Sequence, residues 1–317
     1  MCRAARRRGW RELTEGNMKL SYFLHFAVFG LSTIIFKRKK PILGTIIITD
    51  KCNLKCKHCS VNNVSGEIYP YNQIKNEMNT LYQQGIRILF FCGGEPFLWK
   101  DQNKTVRDLV IEAKQMGFFI VNVVTNGTYE LNLPEADLIL LSLDGSRENH
   151  NFIRGETFDI ILKNIREAIS SNICIYMAIN TINQNDILAV SEIAKHETNI
   201  RAVSFNFHTP YPETEYLSLS KPQKEECLSE ITRLIKRKYP VFNLKSAFSA
   251  IASNSFKTPC FQCAVMENGK QSICGRCIEV DKLCERCGYF FAAEYSLLFR
   301  GNIKVGLDMI STYLKYL

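Results

Sequence analysis

From residue 41 onward, short apolar runs alternate with amphipathic stretches, and this alternation restricts the folds open to the chain. Ile42–Thr49, Ile86–Cys92, Phe118–Thr125, Ala136–Leu143, Ile173–Asn180 and Ala202–Phe207 read as buried strands. Tyr71–Gly85, Lys104–Gly117, Phe158–Ser171, Asp186–Lys195 and Pro222–Lys238 carry helical periodicity. The first two of these end on glycine, a normal helix stop. Strands alternating with helices predict parallel βα units. In a βα barrel, functional groups collect where strands end and helices begin. Three cysteines follow the first run, Gly93-Gly94-Glu95-Pro96 the second, and Thr125-Asn126-Gly127 closes the third. Ser142-Leu143-Asp144-Gly145 ends the fourth, Asn180 the fifth, and Asn206 to His208 the sixth. Chance would scatter such signals to both strand ends; here one mouth gathers them, which favours a barrel over an open sheet.

The three cysteines, Cys52, Cys56 and Cys59, form a C-x3-C-x2-C triplet. Three close thiolates can ligate three irons of a 4Fe-4S cluster and leave the fourth iron free for chemistry. Soft sulfur selects iron–sulfur, zinc or Cu(I) over hard ions. A zinc site with His58 as fourth ligand is the alternative on spacing alone, and a disulfide framework is another.

Thirteen cysteines in 317 residues is a high count. No cleavable signal peptide is evident, so metal or cluster ligation in a reducing cytoplasm explains them better than oxidised pairing. Cys2, Cys92, Cys174 and Cys227 stand alone and read as ordinary thiols. The net charge of +9 is concentrated at one end: residues 1–40 hold ten Lys/Arg against two Glu, leaving 30 basic and 29 acidic residues elsewhere. A nucleic-acid enzyme carries a basic stripe across its folded domain, so no nucleic-acid partner is expected.

Residues 1–17 are Arg-rich and unlike the rest, and Met18 is an alternative start. Leu20 to Phe36 is almost wholly apolar and precedes Lys37-Arg38-Lys39-Lys40. As a helix it would span about 25 Å, short of a ~30 Å hydrocarbon core. Ser21, His25 and Ser32 share one stripe, which suits a helix lying in the membrane interface and held by the basic cluster on anionic lipid. Packing on the enzyme body is the alternative. The expected location is cytoplasmic, with the inner membrane face as the site of any peripheral contact through residues 20–40.

Across residues 42–210 the sequence resembles the radical S-adenosylmethionine (SAM) superfamily. The resemblance rests on the cysteine triplet, GGEP, TNG and SLDG in the family's order and spacing, with His58 where the family has an aromatic residue. It implies an α/β fold, a partial (β/α)6 TIM-type barrel, with a 4Fe-4S cluster on Cys52, Cys56 and Cys59 and bound SAM. It also implies that Gly93, Gly94 and Glu95 line the place of the SAM amino group, with the glycines letting backbone approach the ligand. By the same resemblance Ser142 and Asp144 lie near the ribose, and Arg154 meets the SAM carboxylate. Asn180 joins the SAM-binding set; no residue is singled out as catalytic. The implied reaction is one-electron reduction and cleavage of SAM to a 5′-deoxyadenosyl radical, fed by a donor such as ferredoxin or flavodoxin.

Cys260-x2-Cys263, Cys274-x2-Cys277 and Cys284-x2-Cys287 form a second cysteine field. It resembles the opening of the auxiliary-cluster regions called SPASM and twitch, compressed and without a separate last cysteine. One auxiliary 4Fe-4S cluster drawn from these six is the expectation, with zinc as the alternative. The domain division that follows is residues 1–40 as a basic and apolar segment, 41–240 as the barrel, and 241–317 as a small cysteine-rich region with a terminal helix. Leu307, Ile310, Leu314 and Leu317 predict a packing stripe on that helix. The tail is loosely similar to lipid-acting members such as the hopanoid adenosyl-transfer enzyme. A small hydrophobic, lipid-like substrate is therefore the first expectation, a ribosomally made peptide the second, and a non-catalytic iron–sulfur or zinc protein the third.

Overall fold

A computed structural model describes residues 20–59, 65–258 and 261–316. The chain divides into two compact units, Met1–Lys40 and Pro41–Leu317. In the first, helix α1 spans Leu20–Phe36. Ser32 Oγ and Thr33 Oγ1 both donate to the Phe29 carbonyl at 2.9 Å, satisfying their hydroxyls within the helix. Leu24, Val28, Leu31 and Ile35 recur at helical spacing and are exposed. Among the described residues no helix is long and apolar enough to cross a membrane.

The second unit is built on one eight-stranded sheet. Its strands are β1 (Leu43–Thr49), β2 (Ile88–Gly93), β5 (Ile120–Thr125), β6 (Leu138–Ser142), β7 (Ile173–Ile179), β8 (Ile200–Phe207), β9 (Cys263–Glu267) and β10 (Lys270–Ile273). The order is β10-β9-β1-β2-β5-β6-β7-β8. All six runs expected from the sequence are strands, and each neighbouring pair from β1 to β8 is parallel. Near-continuous apolar strands are what a parallel sheet covered by helices requires. Ile46, Ile48, Leu89, Phe91, Val121, Val123, Ile139, Leu141 and Phe205 are fully or almost fully buried. The covering helices are α2 (Tyr71–Gln83), α3 (Val106–Met116), α5 (Phe158–Glu167), α6 (Ile187–His196) and α7 (Lys221–Lys236), with α4 (Arg147–Arg154) inserted after β6. This is the α/β partial barrel that the motif placement calls for.

Three differences from the sequence expectation have physical causes. Lys104 does not open a helix. Lys100–Asp101 (β3) and Lys104–Thr105 (β4) form a small hairpin, and the helix begins at Val106 because the Asp108 carboxylate accepts the Thr105 backbone N–H at 2.8 Å. The C-terminal segment after Cys287 is two helices, α9 (Phe290–Phe299) and α10 (Ile303–Tyr316), after a short α8 (Phe248–Ser253). The predicted packing stripe is corrected: Leu307 is 64%, Ile310 55% and Leu314 72% exposed, while Leu317 lies outside the described residues. Helix α10 instead packs through buried Val305 and through Tyr313 and Tyr316, whose rings lie against Phe242. Aromatic area outweighs a leucine stripe here.

The cysteine-rich segment is built onto the barrel's own sheet. Strand β9 pairs in parallel with β1, from Leu43↔Cys263 to Ile47↔Glu267, and β10 returns antiparallel. Further on, Phe207 N–H donates to the Gly288 carbonyl at 2.9 Å and Gly288 N–H to Thr209 Oγ1 at 3.0 Å. The segment thus starts on the strand beside β1 and ends on β8, the opposite edge, spanning the gap a partial barrel leaves.

Glu294 on α9 is buried and accepts the Leu244 N–H at 2.9 Å. Burial pushes its carboxyl up to about 7. The folded state therefore holds that proton more tightly than the unfolded chain, and the stability it contributes is lost as pH rises from the ordinary carboxylate range through 7. Glu294→Gln keeps the acceptor and removes the titration. Its melting temperature is expected to change less between pH 5 and pH 8 than the parent's, by an amount equivalent to ~3 kcal/mol at most. An unchanged pH slope refutes the assignment.

Candidate functional site

The triplet lies on the loop leaving β1. Buried Asp50 fixes the loop's stem: it accepts Ser65 N–H at 2.6 Å, Ser65 Oγ at 2.8 Å and Glu67 N–H at 2.9 Å. Thr49 Oγ1 donates to the Glu67 carbonyl at 2.6 Å. The two loop ends are therefore tied together before the cysteines begin. Cys52, Cys56 and Cys59 are each half-buried, not sealed in the core.

Polar hydrogens face the sulfurs. Leu54 N–H lies 3.4 Å from Cys52 Sγ, Asn126 Nδ2 3.8 Å from the same atom, and Arg154 Nη1 3.7 Å from Cys56 Sγ. Donors and one cation around sulfur favour thiolate, the form that binds iron. Burial pushes the Cys56 thiol up to about 11 against the opposing Arg154 charge, and burial also raises Cys52. Metal displaces such protons on binding. His58 Nδ1 is buried with no hydrogen-bond partner, an orphaned polar atom beside the triplet. The residues present suit a cluster held by three thiolates.

The second strand end is locked to this loop. Gly94 N–H donates to the Thr49 carbonyl at 2.8 Å and Glu95 N–H to the Lys51 carbonyl at 2.9 Å. A Cβ on Gly93 would sit 1.9 Å from the Thr49 oxygen, and one on Gly94 2.2 Å from the Lys51 oxygen. The glycines were expected to admit a ligand; in this structure they admit the backbone of the cysteine loop. Glu95 is fully buried, and its carboxylate accepts Thr125 Oγ1 at 2.7 Å, Asn126 N–H at 2.7 Å and Phe97 N–H at 3.0 Å. Burial pushes it up to about 7 despite these donors. Asn126 then reaches the cysteine loop, donating to Asn53 Oδ1 at 2.9 Å. One chain of bonds therefore joins β2, β5 and the triplet.

From the other side, Asp144 and Arg154 form a buried ion pair, with Nε 2.5 Å from Oδ2. Asp144 Oδ1 accepts the Ala178 N–H at 2.8 Å, and His58 Nε2 lies 3.4 Å from Oδ2. Burial alone would raise the Asp144 carboxyl, but Arg154 and His58 outweigh it and hold it below the usual range. Ser142 is buried at the end of β6. Asn180 serves its own turn, accepting Ile182 N–H at 2.9 Å, and Asn183 links that turn to the Asp144 carbonyl at 3.0 Å. The His208 ring, just past β8, meets His58 edge-on with centroids 6.3 Å apart. Triplet, Glu95, Asp144 and Arg154 thus share one mouth. Asp50 was missed, although it stands at a strand end; Asn126 and His208 were read as strand-end signals at this mouth but given no role.

In the second field, Cys274, Cys277, Cys284 and Cys287 line one cavity with Thr209 and Tyr289. It holds about 280 Å³ of atom-free space, part of it open to solvent. Burial pushes the Cys287 thiol up to about 11. Cys263 does not line this cavity: it is buried in β9, 3.9 Å from Thr45 Oγ1. Cys260 lies outside the described residues. Among the described residues no three His, Cys, Asp or Glu side chains close around one ion-sized point. A four-iron cluster takes one thiolate per iron and so spreads its ligands further than tetrahedral zinc does.

Residues 46–194 match the family model described as the radical SAM superfamily. Just under half of the chain thus carries the domain of this superfamily. Its members are enzymes that use a 4Fe-4S cluster and SAM. Among curated relatives, the sporulation killing factor maturation protein SkfB of Bacillus subtilis is 30% identical over 52% of this chain and 42% of its own length. The 7,8-dihydro-6-hydroxymethylpterin dimethyltransferase of Methanocaldococcus jannaschii is 29% identical over 53% of this chain and 36% of its own. This chain thus covers less than half the length of either. Among solved structures, Streptococcus suis SuiB bound to its precursor peptide SuiA gives a TM-score of 0.63 at 15% identity, over 90% of this chain and 71% of that one. That likeness shows a shared fold.

Proposed function

We propose that this chain is a radical SAM enzyme with an auxiliary cluster that modifies a ribosomally made peptide. The observation that carries this reading is the four-cysteine cavity, set where the C-terminal segment crosses to β8. A relative named as a maturation protein, another named as a bacteriocin biosynthesis protein, and a structural neighbour bound to a precursor peptide support a peptide over the lipid-like substrate that the tail's sequence favours. Residues 41–240 are the catalytic barrel in this reading, and 241–317 the region of the auxiliary site.

When bound and reduced, the cluster and SAM supply a 5′-deoxyadenosyl radical. This chain's residues do the rest. Asp50 and the glycines fix the loop, Glu95 and Asn126 hold its outer side, and Asp144 and Arg154 its inner side. Glu95 offers a buried carboxylate where an amino group is to be met, and Ser142 lies at the mouth for sugar hydroxyls. Ferredoxin or flavodoxin is the proposed electron donor.

Anaerobic reconstitution with iron and sulfide, then dithionite and SAM, is expected to yield 5′-deoxyadenosine. A short peptide encoded beside this chain's gene is expected to change mass on co-expression. No 5′-deoxyadenosine from reconstituted protein would sink the enzyme reading. An unmodified peptide with an altered lipid profile in a deletion strain would move the substrate to a second reading. That reading is a lipid-like substrate met at a membrane surface, and it rests on the exposed stripe of α1 followed by Lys37–Lys40.

A further inference from the structure

Arg154 is the last residue of α4, and its side chain is only 10% exposed. Each of its three nitrogens has a protein partner. Nε meets Asp144 Oδ2 at 2.5 Å, Nη1 meets Cys56 Sγ at 3.7 Å, and Nη2 meets His58 Nε2 at 3.3 Å. Two of these partners are on the cysteine loop and one is on the barrel. Beside the guanidinium, Lys57 N–H donates to the Ile153 carbonyl at 3.0 Å, so backbone joins the same two parts.

The anchoring carboxylate is itself held by hydrogen bonds. Asp144 receives the Ala178 N–H from β7, and its own N–H donates to His150 Nδ1 at 3.1 Å. His150 is in turn 3.0 Å from Thr157 Oγ1. A fork fixed at one end on a hydrogen-bonded carboxylate leaves the other two nitrogens a defined direction. Both point at the segment between Cys56 and Cys59. A positive charge and an N–H donor at a cluster sulfur favour the more negative, reduced state, and hydrogen bonds to sulfur are an established control of cluster potential.

We infer that Arg154 is a positioning residue that clamps the cysteine loop onto Asp144 and raises the reduction potential of the cluster held by Cys56. The inference rests on the radical SAM reading of the triplet. It departs from the role the family resemblance implies, in which this arginine meets the SAM carboxylate.

The test compares the reconstituted full chain with Arg154→Gln and Arg154→Lys, reading potential and iron retention without SAM and then SAM binding by titration. The triplet's spectroscopic signal is identified by its loss in Cys56→Ala. The clamp predicts a more negative midpoint potential in Arg154→Gln and several-fold faster loss of iron to a chelator. It predicts a smaller shift in Arg154→Lys, which keeps the charge and loses the fork. Thermal melting checks the barrel. If Arg154→Gln melts normally and takes up no iron at the triplet, the clamp is supported, and Arg154→Lys supplies the potential. An unchanged potential and iron retention with weakened SAM binding would overturn the inference and make Arg154 a SAM ligand. A parent protein that takes up no iron at the triplet would overturn the radical SAM reading and this inference together, an outcome distinguishable from the last because it needs no variant.

Discussion

Gly94→Ala is expected to abolish SAM cleavage nearly as completely as Cys56→Ala, although it removes no ligand. The added methyl carbon would lie 2.2 Å from the Lys51 carbonyl oxygen, 2.5 Å from the Lys51 carbonyl carbon and 2.6 Å from the Asp50 oxygen. All three are backbone atoms, so no flexible side chain can swing away. Relief requires the loop to move by about 1 Å. Displacements of that size cost on the order of 100-fold where reacting groups must be aligned. The move also breaks the Glu95 N–H bond to Lys51, which leaves a buried donor unpaired at roughly 1–3 kcal/mol. Two measurements check this: 5′-deoxyadenosine formed per chain, and iron bound at the triplet. A Gly94→Ala protein with full iron and full activity would show that GGEP does not support the cysteine loop. Gly66→Ala is the matched control, since a Cβ there meets nothing within 4 Å. Its positive φ of 69° makes any loss a measure of backbone strain alone.

The barrel was legible because its strands are short apolar runs, largely buried, that alternate with amphipathic helices. The triplet's place in the fold was legible because three close cysteines directly follow the first apolar run, which is β1. What holds the triplet was not. Asp50 looks like one more strand-end carboxylate, and only the fold shows Ser65 and Glu67 returning to it. Arg154 lies about a hundred residues from Cys56, and no local pattern marks that pairing. The same holds for β9: Cys263-Ala264-Val265-Met266 is too short to read as a strand until β1 offers it an edge. Sequence periodicity also misplaced the packing face of α10, because a stripe of leucines and a stripe of tyrosines compete there and hydropathy ranks the leucines first.

Cys284→Ala is expected to remove the metal of the second site, and Cys263→Ala to leave it in place. Both residues belong to C-x2-C pairs, so spacing alone treats them alike. The structure separates them, because Cys284 shares a cavity with Cys274, Cys277 and Cys287 whereas Cys263 is buried in β9. With four thiolates holding four irons, losing one leaves a corner with no protein ligand and, unlike the triplet, no SAM expected to fill it, so iron content should fall, by up to about four per chain. The triplet's cluster should survive, because Asp50, Asn126 and Arg154 fix that loop without using the second field. The loss should nonetheless reach the barrel's open side. Gly288 is wedged against β8, where a Cβ would sit 2.1 Å from the Phe207 oxygen, and Cys287 is its neighbour. Releasing the metal loosens that wedge, so peptide modification should fall further than 5′-deoxyadenosine formation. Iron and zinc counts with both product assays decide the matter. If Cys263→Ala empties the site while Cys284→Ala does not, the four-cysteine assignment is wrong. If Cys284→Ala releases one zinc and no iron, the cavity holds zinc and only the triplet carries a cluster.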